Sequence, residues 1–135
     1  MIPARAREPR SPRRPRPIRA AWWSAAGLCA AAILYLSVIP VPEGPEIPWL
    51  DKAVHLVQYL ALAWLLVQAL RAGRLEDGPY LWLAWIEATS YGLLIELLQV
   101  LLPWRSADLL DAAANALGAA AGVWLTTRDR TARDR

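Results

Sequence analysis

Four long apolar stretches, separated by short polar segments, constrain this chain more than any other feature of its sequence. They cover residues 20–39, 51–70, 80–102 and 107–127. Each stretch has about 20 to 23 residues, enough for an α-helix to cross a hydrocarbon layer of roughly 30 Å. With 56% hydrophobic and only 20% charged residues, the chain has little polar surface for water. The sequence predicts an all-α fold, a polytopic membrane helix bundle with about four transmembrane helices.

The fourth stretch is the weakest of these predicted spans, because it is rich in Ala and carries Asp108, Asp111 and Asn115. The short link of residues 103–106 joins it to the third stretch. We therefore expect the two to form antiparallel neighbours, with the fourth inserting mainly as the partner of the third. We also expect Ser106 to cap the fourth helix at its N-terminus.

Arg-rich segments flank the predicted transmembrane domain, which covers residues 20–127. Residues 1–19 contain seven Arg and five Pro and little to bury, so we expect a disordered tail. Residues 128–135 form a second predicted tail. These cations lie in tails and not on a folded face, so the lipid bilayer is the expected partner and nucleic acid is not.

The same basic residues predict the orientation in the membrane. Arg and Lys in short flanking segments are retained on the cytoplasmic side. The two tails and the connector with Arg71 and Arg74 all fall on one side of a four-span protein, whereas the connector 40–50 has no basic residue. We expect a multi-pass protein of the plasma (inner) membrane with both termini in the cytoplasm.

The first span could instead be a signal peptide, because basic residues precede it. Its apolar core is long, however, and no convincing small-x-small cleavage site precedes the Pro-rich connector. Cleavage would leave the other three spans oriented as described. Cys29, the only cysteine, lies within this span, so no intramolecular disulfide is possible.

Polar and ionisable side chains lie in or beside the last three spans. An ionisable group at membrane depth costs on the order of 2.5 to 3.5 kcal/mol, so one that remains is usually paired or functional. In a four-span bundle these residues all lie near the outer end. The candidate catalytic residues are His55, Glu96, Asp108 and Asp111, and the candidate ligand-binding residues are Asp51, Lys52, Gln99, Arg105 and Asn115.

Helical spacing puts these side chains on shared faces, since residues three, four and seven apart lie on one side of a helix. Asp51, His55 and Tyr59 form one such stripe. Farther down the fourth span, Gly118 and Gly122 form a small-xxx-small step that would let another helix approach closely.

Three interpretations of the polar residues remain open. In a catalytic site, His55 and Glu96 would share acid and base roles, and Arg105 would clamp a phosphate or carboxylate. In a binding site, an envelope component would be captured without reaction. In a structural network, Glu96 would only neutralise Lys52 or Arg105. One His and three carboxylates could also hold a divalent metal, but no H-E-x-x-H spacing exists, and neither a metal nor a cofactor is predicted.

The polar motifs resemble those of a known family. They are D-K-A-V-H at Asp51–His55, Y-G-L-L-I-E-L-L-Q at Tyr91–Gln99, and P-W-R-S-A-D-L-L-D-A-A-A-N-A-L-G at Pro103–Gly118. In this order they are similar to the VanZ-like family of small bacterial membrane proteins, although Trp104 stands where members often have Gly. The resemblance implies a multi-span membrane protein of the bacterial cell envelope and does not supply a mechanism. A cell-wall or lipid-linked component is a possible ligand of the polar residues. The founding member is associated with resistance to teicoplanin-type glycopeptides.

Overall fold

The predicted spans are four α-helices. The computed structural model describes residues 16–40, 49–73 and 79–133, and all the regular secondary structure in these ranges is helical. The helices are α1 (Arg16–Val38), α2 (Leu50–Ala72), α3 (Pro79–Gln99) and α4 (Leu109–Arg133). Each contains a stretch long and apolar enough to cross a membrane: Pro17–Val38, Leu50–Ala72, Pro79–Gln99 and Leu109–Arg128. The predicted all-α fold with about four spans is confirmed.

The helices extend into both predicted tails. α1 begins at Arg16, so residues 16–19 are helical; Pro17 fits the first turn, where its missing N–H would have no intrahelical partner anyway. α4 continues to Arg133. The predictions for the rest of the N-terminal tail, for most of the connector 40–50 and for Arg74 lie outside the described residues.

α2 is the central helix of the bundle. It packs against each of the other three helices, and its contact with α4 is the most extensive in the described chain. Its side chains Tyr59, Ala63 and Val67 are completely buried. The outer surface of the helices carries many large apolar side chains, as lipid-facing helices do.

α4 packs chiefly on α2, which corrects the expectation that α3 would be its main partner. The physical reason lies in the two glycines of α4. A Cβ on Gly118 would overlap the carbonyl oxygen of Leu56, and one on Gly122 would overlap that of Leu60. The predicted close approach of a helix to this small-xxx-small step is confirmed, and close backbone contact of this kind favours association of helices in lipid.

α2 and α4 run in the same direction. Contacts advance together along both helices, from Lys52 with Asp108 to Leu56 with Gly118. The N-terminal ends of α2 and α4 therefore lie together, at the end of the bundle where α1 and α3 finish. We call this the polar end.

Candidate functional site

Lys52, in the first turn of α2, forms ion pairs that join α2 to α4. Its Nζ lies 2.7 Å from Asp51 Oδ2, 2.7 Å from Asp108 Oδ2 and 3.0 Å from Asp111 Oδ1. The contacts across the helices arise because both helices begin at the polar end and their glycine contact brings them close. We call Lys52 and these three carboxylates the lysine clamp.

Asp108 also caps α4. Its Oδ1 accepts a hydrogen bond of 2.8 Å from the backbone N–H of Leu110. The expected cap at Ser106 is therefore wrong: the helix begins at Leu109, so Asp108 is the residue directly before it. The hydrogen bond from Lys52 lowers the pKa of the Asp108 carboxyl below its usual value.

A second cluster lies beside the clamp and deeper along the helices. His55 of α2, Glu96 of α3 and Asp111 of α4 each bring one nitrogen or oxygen within 4.8 Å of the others. Glu96 is 6% exposed and Asp111 is 8% exposed. Asn115, one turn below Asp111, is fully buried beside them. We call His55, Glu96, Asp111 and Asn115 the inner pocket.

The His55 ring is oriented by a hydrogen bond to α4. Its Nδ1 lies 2.9 Å from Asn115 Oδ1. Because an amide oxygen only accepts, Nδ1 carries the hydrogen, and the neutral ring presents the lone pair of Nε2 to the pocket. Nε2 is 3.9 Å from Asp111 Oδ2, too far for a direct hydrogen bond.

Several buried polar atoms in and next to the inner pocket have no hydrogen-bond partner among the described residues. Apart from Asp111 Oδ1, which is ion-paired with Lys52 at 3.0 Å, they are Glu96 Oε1, Asn115 Nδ2 and the Tyr59 hydroxyl. The other Glu96 oxygen, Oε2, accepts the backbone N–H of Asp108 at 3.2 Å. Leaving a buried polar atom unpaired costs about 1 to 3 kcal/mol. The pocket therefore has unused hydrogen-bonding and metal-binding capacity.

Gly92 of α3 keeps this region open. A Cβ at this position would lie 2.9 Å from Asn115 Nδ2 and 3.0 Å from Tyr59 Cε1. Real Cβ atoms are almost never found that close to a neighbour, so a side chain on residue 92 would displace Asn115 or Tyr59. Glycine here preserves the orientation of the amide that holds His55.

Two of the predicted ligand-binding residues contact α1 instead of the inner pocket. Gln99 Nε2 donates to the carbonyl of Ser37 at 3.1 Å. Arg105 Nη2 donates to the carbonyls of Leu36 at 2.7 Å and Ile39 at 2.8 Å. The last carbonyls of a helix have no intrahelical partner, and a cation near them is also favoured by the helix dipole. Gln99 and Arg105 therefore hold the C-terminal end of α1.

Trp104 is a residue whose contact the sequence reasoning missed. Its indole Nε1 donates to the carbonyl of Val38 at 2.9 Å. Together with Gln99 and Arg105 it forms what we call the α1 cap. The only signal in the sequence was its departure from the family motif, which did not indicate that the indole would bind α1.

Comparison with known proteins agrees with the resemblance of the motifs. A family model described as VanZ/LLP1 matches residues 16–128, a range that includes the lysine clamp, the inner pocket and the α1 cap. No curated protein and no solved structure matches the chain. The matched range is well over half of the chain, and the four apolar helices fit a multi-pass membrane protein. This chain therefore belongs to the VanZ/LLP1 family.

Proposed function

We propose that this VanZ-like protein acts in the bacterial cell envelope, where its inner pocket binds and processes the polar headgroup of a lipid-linked or cell-wall component. The observation that carries this proposal is that Glu96, whose Oε1 is unpaired, brings a carboxylate oxygen within 4.8 Å of a ring nitrogen of His55, inside a bundle whose outer surface is apolar. A buried ionisable group whose hydrogen bonding is incomplete is costly, and such groups are concentrated at functional sites.

The positions of the basic residues support an extracytoplasmic location for the pocket. Among the described residues, Arg19, Arg71 and Arg128 lie toward the end of the bundle opposite the polar end. The two cations of the polar end, Lys52 and Arg105, are engaged by carboxylates and by α1 carbonyls. We place the protein in the plasma membrane, where the positive-inside rule favours cytoplasmic termini and an extracytoplasmic polar end.

In the proposed reaction, His55 acts as the proton acceptor. Its Nδ1–H is held by Asn115, so Nε2 can take a proton from a hydroxyl group or water brought within about 3 Å. Nearby Asp111 would stabilise the imidazolium that forms. No Ser, Thr or Cys of the described chain has a hydrogen bond to His55, so the nucleophile would be water or a group of the ligand.

The test compares function with membrane abundance in bacteria that express the chain. The proposal includes reduced teicoplanin susceptibility of cells that express the chain. We expect His55→Ala and Glu96→Gln to abolish that reduction and to leave abundance unchanged. Glu87→Gln is the matched control, because it removes the same charge from α3 at a half-buried position outside the pocket. Headgroup composition of extracted envelope lipids gives a second readout from the same cells.

A structural network is the second candidate, and the lysine clamp favours it because Lys52 joins two helices through three carboxylates. In that case phenotype and abundance would fall together in the His55 and Glu96 variants. The double variant Lys52→Met with Asp108→Asn would then accumulate better than Lys52→Met alone, because one of the three carboxylates that lose Lys52 is neutralised as well.

A further inference from the structure

We propose that the inner pocket binds a divalent metal ion of the kind that accepts mixed nitrogen and oxygen ligands, zinc or manganese, through His55 Nε2, Glu96 and Asp111. This goes beyond the proposed function, which needs no metal. The sequence predicted no metal because it lacks a local ligand motif. In the folded chain, however, the three ligands come from three different helices.

The distances fit a site that closes slightly around an ion. Zinc binds His nitrogen and carboxylate oxygen at about 2.0 to 2.2 Å, which puts the ligands of a tetrahedral site about 3.4 Å apart. His55 Nε2 and Asp111 Oδ2 are 3.9 Å apart, longer than a hydrogen bond and close to that spacing. The three ligand atoms lie within 4.8 Å of one another, so side-chain rotations moving them by about 1 Å would complete the site.

The charges of the polar end favour a cation. Four carboxylate side chains lie there with one ammonium group: Asp51, Asp108 and Asp111 pair with Lys52, and Glu96 accepts the backbone N–H of Asp108. The guanidinium of Arg105 is directed to the α1 carbonyls and not to these carboxylates. A divalent ion would offset the excess of negative groups. It would also allow an anionic headgroup to approach a site that would otherwise repel it.

The surrounding hydrogen bonds orient the ligands as they do in metal sites. A metal-binding His typically donates its other ring N–H to an oxygen, and a ligating carboxylate is itself hydrogen-bonded. Here Asn115 Oδ1 accepts from His55 Nδ1, and the Asp108 N–H donates to Glu96 Oε2. These bonds leave Nε2 and Oε1 as the open atoms.

A buried carboxylate oxygen without a partner provides the independent sign of a ligand. Glu96 is 6% exposed and its Oε1 has no hydrogen bond among the described residues. A bound metal ion would give this oxygen the partner that it lacks. Three protein ligands would also leave at least one coordination position open, as in metal sites that handle a substrate and unlike closed structural sites.

The direct test is metal binding by the full chain in lipid nanodiscs, without an affinity tag and after treatment with a chelator. Zn²⁺ and Mn²⁺ are titrated separately by calorimetry, in a Cys29→Ser background that removes the only thiol. We expect one ion per chain. Glu96→Gln should weaken binding at least a hundredfold, and Asn115→Ala by about ten- to a hundredfold. Glu87→Gln should bind as the parent does.

Zinc X-ray absorption of the loaded protein should report nitrogen and oxygen neighbours near 2.0 to 2.2 Å. No saturable binding of either ion by the parent chain, or equal binding by Glu96→Gln and Glu87→Gln, would overturn the proposal. Circular dichroism of each metal-free variant establishes that it is folded. If Glu96→Gln does not fold, the binding of Asn115→Ala is compared with that of Glu87→Gln instead. A parent chain that binds neither ion but still reduces teicoplanin susceptibility would reject the metal and keep the proposed function.

Discussion

The α1 cap and the inner pocket lie at the same end of the bundle but differ in how completely their polar atoms are paired. In the α1 cap, three side chains donate to the carbonyls of Leu36, Ser37, Val38 and Ile39, although the Arg105 Nε–H has no partner within the described part of the chain. In the inner pocket, Glu96 Oε1 and Asn115 Nδ2 have no hydrogen-bond partner among the described residues. Completed contacts hold helices together, whereas incomplete buried ones leave capacity for a ligand.

The largest expected effect comes from breaking the helix contact on which the inner pocket depends. In Gly118→Val the new side chain would overlap the Leu56 carbonyl and force α2 and α4 apart. We expect a loss of about 3 kcal/mol or more in the free energy of unfolding and little folded protein by size-exclusion chromatography. Gly27→Val is the control, since a Cβ on Gly27 meets nothing within 4 Å. Equal yields of the two variants would contradict the close α2–α4 packing.

Arg105→Ala should weaken the α1 cap without affecting the inner pocket. Two α1 carbonyls would lose their donor, so we expect the free energy of unfolding to fall by about 2 kcal/mol. Zinc affinity of the folded fraction should stay within about twofold of the parent, because Arg105 does not contact the inner pocket. Thermal unfolding and calorimetry on one preparation measure both, with exposed Arg19→Ala as the control. A hundredfold loss of zinc affinity would mean that Arg105 does contribute to the inner pocket.

Lys52→Met removes the positive charge beside the inner pocket. The Lys52 ammonium lies 3.0 Å from Asp111 Oδ1 and would repel a cation bound there. Removing it should raise zinc affinity about tenfold, which corresponds to about 1.4 kcal/mol. Lys52→Arg keeps the charge and should bind zinc as the parent does. A lower affinity in Lys52→Met would mean that Lys52 serves mainly to gather the carboxylates.

Trp104→Phe should have the smallest effect. The indole is half exposed and makes one hydrogen bond to Val38, so its loss should cost about 0.5 to 1 kcal/mol. Thermal unfolding should show a small decrease in Tm and calorimetry no change in zinc affinity. A change in affinity larger than that of Arg105→Ala would link the α1 cap to the pocket.

The sequence was sufficient for features that depend on one helix at a time. Hydropathy predicted four spans, and the 3.6-residue period predicted the close approach at Gly118 and Gly122. Counting residues from the helix ends also put the polar side chains at one end of the bundle. These properties follow from local length and composition alone.

Features that depend on how helices are arranged around one another were not predictable. Whether α4 would pack on α2 or α3 depends on the rotation of each helix about its axis, which no single segment specifies. The same rotations direct Gln99 and Arg105 to α1 and bring His55, Glu96 and Asp111 together. The N-cap at Asp108 in place of Ser106 followed from a two-residue shift in the start of α4, because helix boundaries depend on tertiary contacts.

The thermal stability of metal-free Glu96→Gln most directly tests whether the inner pocket is a ligand site and not a completed network. Gln keeps an oxygen that can accept the Asp108 N–H and removes a buried carboxylate whose second oxygen is unpaired. We expect its Tm to equal or exceed that of the parent while zinc binding is lost. A Tm lowered as far as that of Arg105→Ala would mean that Glu96 already has its partners and that the pocket only holds the helices together.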